Sequence, residues 1–217
     1  MICVSIAYLS FEQCQEVLKD IEMAEIRLDR LHFSLQQVRE IFSMHRQLIA
    51  TCRPGTLGDE ERKELLLAAG EAGAAFLDIE SDAEPGFKTV VSQSCRNKHC
   101  RIIMSYHNYE RTPSRQVLEE IIESCFADGA DIVKIACRAL SHADAARILS
   151  LYDRDEIGHE NKKIVALAMG DMGKITRLAA QLLGAPFTYA ALSRGKETAP
   201  GQMSEQTLKK ILNLLKK

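Results

Sequence analysis

Over 217 residues, 28 lysines and arginines stand against 30 aspartates and glutamates, a formal net charge of −2, and 46% of the residues are hydrophobic. Such a chain can bury a real core, and the balance excludes a disordered or fibrous class and argues against a nucleic-acid binder, which would carry a basic stripe. No apolar run approaches the ~20 residues of a membrane helix. The opening MICVSIAYLS lacks the basic and cleavage segments of a signal peptide, so no membrane role is expected and the cytoplasm is the expected compartment. Seven cysteines, an odd number without a C-x-x-C pair, read as reduced thiols. Cys95, His99 and Cys100 lack the second ligand pair that a structural zinc site requires, so no metal is expected.

Strand-like and helix-like segments alternate along the chain. Strand 2–7 is followed by a helix opened by Ser10, with Gln13 placed to complete a capping box. Strands 24–28, 47–51 and 75–79 follow, and the helix around 85–95 is the weakest, because PGFKTVVSQSC is poor in helix formers. After strand 101–105, Thr112 before Pro113 reads as a cap and a first-turn proline. After strand 131–136, Ser141 with Asp144 reads as another cap. Strands 163–168 and 188–192 complete the set, and a last helix starts near Ser204 with Leu208, Ile211, Leu212 and Leu215 on one stripe. Eight βα units of about 27 residues, undivided by any linker, predict an α/β fold, a single-domain (β/α)8 TIM barrel over 1–217. The alternative, a doubly wound open sheet, lacks its G-x-G-x-x-G phosphate loop here.

Strands enclosed between a core and a helix layer should be apolar, so charges within them call for a reason. In Glu25-Ile26-Arg27-Leu28-Asp29 the charges alternate with apolar residues and so share one face. Asp78 and Glu80 repeat the pattern, Ser105 and His107 share a face, and Lys134 shares one with Ile132 and Ala136. Solvation of half-exposed strands explains any one of these. Several together predict a polar barrel interior, with Thr51, Cys52, Arg53 and Met169 at strand carboxyl ends, where such barrels place their sites.

A lysine in the apolar run Asp131-Ile132-Val133-Lys134-Ile135-Ala136 must reach solvent or find a polar cavity. Desolvation and nearby cations favour a neutral, nucleophilic amine suited to attack on a ketone, whereas a salt bridge to Glu25 or Asp78 would make it structural. His107 supplies a group able to take and return a proton near neutrality. His32, His45, His99, His142 and His159 lack such placement and read as surface or cap residues.

The segments EIRLDRL, TCRPG, AAFLDIE, MSYHNYERTP, GADIVKIA, AMGDMGKITR and TAPGQ, in that order, resemble those of the type I 3-dehydroquinate dehydratases over almost the whole chain. The resemblance implies a lyase of the shikimate pathway, on the route to chorismate and the aromatic amino acids. It implies that Lys134 forms an imine with the ketone of 3-dehydroquinate and that His107 moves the protons. It further implies Arg177 as a carboxylate clamp assisted by Thr198 and Gln202, Glu25, Arg27 and Arg53 on ring hydroxyls, and Met169 and Tyr189 as walls. The 198–202 loop would act as a lid, no cofactor or metal would be needed, and the active form would be a homodimer acting on a small-molecule substrate. The chain departs from the family pattern at Leu57, where a glutamate often orients the histidine; Asp59, Glu60 or Asp78 are the available substitutes. A floor hairpin before the first strand is also absent from the pattern. A class I aldolase and a non-catalytic binding barrel are the rival readings, the first disfavoured by the clamp and the TAPGQ loop.

Overall fold

The computed structural model describes residues 1–95, 100–153 and 163–215. His99 and His159 lie outside the described residues. The elements run β1 (Ile2–Ile6), α1 (Phe11–Leu18), β2 (Ala24–Arg27), α2 (Leu28–Leu31), α3 (Leu35–Met44), β3 (Leu48–Thr51), α4 (Asp59–Glu71), β4 (Phe76–Glu80) and α5 (Pro85–Cys95). They continue with β5 (Arg101–Asn108), α6 (Arg115–Ala127), β6 (Ile132–Arg138), α7 (His142–Leu149), β7 (Lys163–Met169), α8 (Lys174–Leu182), β8 (Thr188–Ala191) and α9 (Glu205–Leu215).

Each of the eight strands overlaps a segment expected from its apolar pattern. They form one sheet in the order β7-β6-β5-β4-β3-β2-β1-β8, which keeps sequence neighbours adjacent and sets the first strand beside the last, as in a (β/α)8 barrel. Pairing is parallel where helices make the crossovers: Glu25 opposes Ile49, Thr51 opposes Asp78 and Lys134 opposes Val165.

The chain divides into two compact units, Ser5–Ile103 and Met1–Val4 with Met104–Lys217. In the first, Ile26, Phe42, Leu48, Ile49, Leu66, Leu77 and Ile79 are fully buried. In the second, Val133, Ile135, Val165 and Ala168 are buried in the paired strands β6 and β7. There α9 lays Leu208 and Leu212 on Ile2 and Ala190.

Ser10 and Ser141 form the capping boxes their sequences announce, and Ser34 with Gln37 forms a third. The cap of α6 differs from expectation. Ser114, not Thr112, takes the first-turn amide, that of Val117, at 3.4 Å, while the Thr112 hydroxyl donates to the Arg138 carbonyl at 2.8 Å. The weak 85–95 segment is nonetheless a full helix, because Phe87, Val91 and Cys95 recur every four residues on its buried face and the Glu84 carboxylate accepts from the Phe87 amide at 2.9 Å. Asp29 does not extend β2: it belongs to the single turn α2, which ends at His32 in the left-handed region, φ 52°.

Candidate active site

Within Ser5–Ile103, the charged faces of β2, β3 and β4 satisfy one another. Glu25, 4% exposed, accepts from the Ser5 hydroxyl at 2.8 Å and from Thr51 at 3.0 Å. Arg27 meets Asp29 with two parallel bonds, Nε to Oδ1 at 3.0 Å and Nη2 to Oδ2 at 2.7 Å. Burial disfavours the Arg27 charge, but the Asp29 bonds and the Glu25 charge outweigh it and leave the group more basic than usual. Arg53, just beyond β3, donates from Nη2 to Asp78 at 2.8 Å and from Nη1 to Glu80. Here too burial opposes the charge, and Asp78, Glu80 and Glu25 together raise its basicity. Glu25, Arg27 and Arg53 thus lie within electrostatic reach of one another; the alternating pattern named the first two, and Arg53 joins them from the end of β3.

Arg62 of α4 escaped the sequence reading. It is 4% exposed and donates to the Cys52 carbonyl at 3.0 Å, to Glu80 at 3.0 Å and to Asp59 at 2.6 Å, while its guanidinium lies 5.0 Å from the Phe87 ring centre. The available signal was its place on the apolar stripe with Leu65, Leu66 and Ala69, where an arginine is out of pattern. Of the substitutes for the glutamate missing at Leu57, Asp59 pairs with Arg62, Glu60 with Lys63 and Asp78 with Arg53.

In the second unit, Lys134 on β6 is 6% exposed and its nitrogen lies 4.3 Å from the ring centre of Tyr189 on β8, itself 3% exposed. Such an amine sits against the electron-rich ring face that favours a cation. His107, near the carboxyl end of β5, lies parallel to Tyr109, with ring centroids 6.0 Å apart and planes 10° apart. The turn that carries Tyr109 is tied down by Asn108, whose side-chain oxygen accepts from the amides of Glu110 at 3.1 Å and Arg111 at 2.9 Å. Met169 ends β7 opposite Arg138 and is buried.

Arg177 is the most unusual charge. It is 2% exposed, and among the described residues its Nη atoms reach only the carbonyls of Tyr189 and Pro200, both at 3.4 Å, while its Nε has no hydrogen-bond partner. Among the described residues no carboxylate pairs with it, and burial lowers its pKa to about 10. A turn packed tightly on β7 presents it. Gly173 approaches β7 so closely that a Cβ there would lie 2.4 Å from the Ala168 carbonyl oxygen. Thr176 accepts from the Ala168 amide at 2.8 Å and donates to the Gly173 carbonyl at 2.6 Å. The 198–202 loop closes on the same place: the Gly170 amide donates to Pro200 at 3.2 Å, and the Gln202 side-chain oxygen accepts from the amide of Thr198 at 2.7 Å and from its hydroxyl at 3.2 Å.

Among the described residues no group of three or more histidines, cysteines, aspartates or glutamates could hold a metal ion, and no helix is long and apolar enough to cross a membrane. The seven cysteines are buried thiols; burial pushes those of Cys14, Cys52 and Cys137 up to about 12, which makes them poor nucleophiles. The remaining described histidines hold structural places: His45 takes the Gln47 amide and donates to the Ile21 carbonyl, and His142 opens α7.

Strand order and buried polar strand faces define a (β/α)8 barrel of the enzymatic kind. A family model described as Type I 3-dehydroquinase matches residues 2–217. The 3-dehydroquinate dehydratase of Thermococcus gammatolerans is 36% identical over 201 residues, 89% of this chain and 88% of that protein. That of Methanocaldococcus jannaschii is 33% identical over 225 residues, 99% of each. A crystal structure of the type I 3-dehydroquinate dehydratase from Clostridium difficile matches with a TM-score of 0.85 at 24% identity, covering 99% of this chain and 91% of that one, and so shares the fold. The chain belongs to the type I 3-dehydroquinase family and is an enzyme of the lyase class.

Proposed function

We propose that the chain dehydrates 3-dehydroquinate to 3-dehydroshikimate in the shikimate pathway through a Schiff base on Lys134. The observation that carries the reading is the buried guanidinium of Arg177, with no carboxylate partner among the described residues, in the same compact unit as a buried strand lysine. A guanidinium in that condition is stabilised by an anion, and a carboxylate matches its fork. The substrate has one carboxylate to be clamped and one ketone to be attacked.

In this proposal the Lys134 nitrogen adds to the ketone carbon and the carbinolamine loses water to give an iminium. The cationic nitrogen draws electrons from the neighbouring carbon and acidifies its hydrogen. His107 takes that proton and passes one to the departing hydroxyl, which leaves as water as the ring double bond forms. Hydrolysis of the iminium frees the product and the amine. Arg177, Thr198 and Gln202 hold the carboxylate end, Glu25, Arg27 and Arg53 the ring hydroxyls, and Met169 and Tyr189 exclude water. The proposal includes a single catalytic domain over 1–217, a cytoplasmic homodimer, and chemistry that needs no metal or organic cofactor.

Borohydride added with 3-dehydroquinate tests it. The expected result is a stable mass increase on the peptide carrying Lys134, together with loss of turnover in Lys134→Ala and no effect of a chelator on the rate. Unmodified peptide, or turnover that survives Lys134→Ala, overturns it.

A further inference from the structure

The Arg53 guanidinium is gripped by two carboxylates, and one of these, Glu80, is shared. Its Oε1 faces Arg53 while its Oε2 accepts from Arg62 at 3.0 Å. Arg62 also donates to the carbonyl of Cys52, the residue that precedes Arg53 in the chain. One side chain therefore holds both the backbone from which Arg53 springs and the carboxylate that fixes its tip. We infer that Arg62 is a positioning residue for Arg53 and sets the geometry with which Arg53 meets the substrate, an inference that rests on the proposed substrate-binding role of Arg53.

The charges support the arrangement. Arg53 and Arg62 balance Asp78 and Glu80, so Glu80 bridges two cations rather than competing with Asp78 for one. A helix arginine with only a surface role would stop at Asp59, whose side chain is 69% exposed; Arg62 instead sends two of its donors inward. A hollow of about 220 Å³ lined by Arg62, Glu80, Pro54 and Phe87 among others adjoins the pair. Without the Arg62 side chain, Glu80 Oε2 loses its donor at 3.0 Å, and the carboxylate is free to turn away from Arg53.

The test separates positioning from support of the fold. In Arg62→Met, shown to be folded by circular dichroism and its melting temperature, KM for 3-dehydroquinate is expected to rise about tenfold, the size of one charge-assisted hydrogen bond, with kcat within about twofold. Glu80→Gln should raise KM similarly, and the double variant should be no worse than the poorer single one, because both break the same link. Arg62→Lys, which keeps the charge but not the Cys52 contact, should recover part of the loss and serves if the methionine variant does not fold. A folded Arg62→Met protein with wild-type KM overturns the inference, as do effects of Arg62→Met and Glu80→Gln that multiply; where the methionine variant does not fold, wild-type KM in Arg62→Lys overturns it. Arg53→Lys tells the two failures apart. If it leaves KM unchanged, the binding role of Arg53 itself is wrong; if it raises KM while Arg62→Met does not, only the role of Arg62 falls.

Discussion

The side-chain nitrogen of Lys134 lies over the ring of Tyr189, 4.3 Å from its centre, with both residues buried. A desolvated cation on an aromatic face gains about 2 kcal/mol, and an iminium formed at that nitrogen would meet the same face. Tyr189→Phe keeps the ring and should leave kcat/KM within about twofold. Tyr189→Leu removes it and should lower kcat/KM by about tenfold, with slower borohydride trapping of the Lys134 adduct. Equal rates in the Phe and Leu variants would show that the ring only fills space.

Arg177 gives a pH dependence with a definite sign. Burial penalises the charge and lowers its pKa from the ordinary arginine value to about 10. Between those values the unfolded chain holds the proton more tightly than the folded one, so this residue's contribution to stability increases as the pH rises through that window and decreases as it falls. Ligand binding runs the other way, since only the cation clamps a carboxylate. KM should therefore climb as the pH passes about 10, and Arg177→Met should raise KM about a hundredfold at neutral pH while its melting temperature holds or increases. A methionine variant with unaltered KM would remove Arg177 from the site.

Gly201 adopts φ +78°, and a Cβ added to it would stand 2.4 Å from the Gly170 carbonyl oxygen. Gly201→Ala therefore has to push the 198–202 loop off the turn after β7, at a local cost of about 1–3 kcal/mol. Because Thr198 and Gln202 travel with the loop, KM should increase about tenfold, while borohydride trapping of Lys134 at saturating ligand should persist. Unchanged KM in the alanine variant would mean that the loop does not contact the ligand.

Much of this was legible because strand residues advertise their faces. The alternation Glu25-Ile26-Arg27 and the lone Lys134 among Ile132, Val133 and Ile135 are visible as departures from an apolar run. Arg177 was not visible in that way. It sits on α8, where an arginine is ordinary, and only the resemblance of AMGDMGKITR to a family segment singled it out. Arg62 was hidden further, inside Asp59-Glu60-Glu61-Arg62-Lys63, a run that reads as a solvated helix start. Its inward turn depends on Cys52 and Glu80, ten and eighteen residues away. The cap of α6 was misplaced for a local reason: Thr112 and Ser114 are both competent, and the carbonyl of Arg138, far along the chain, draws the threonine away. The turn α2 has only four residues, too few for a periodic signal.

The contact of Gly173 with Ala168 confines more than one residue. With Thr176 bonded to the Ala168 amide, the first turn of α8 is tied to β7 at two points. In the proposed clamp, an acid of different length would be met by torsions within the Arg177 side chain rather than by movement of this turn. If Arg177 is the clamp proposed above, inherited changes in which acid is accepted should accumulate outside this turn, while position 173 stays glycine.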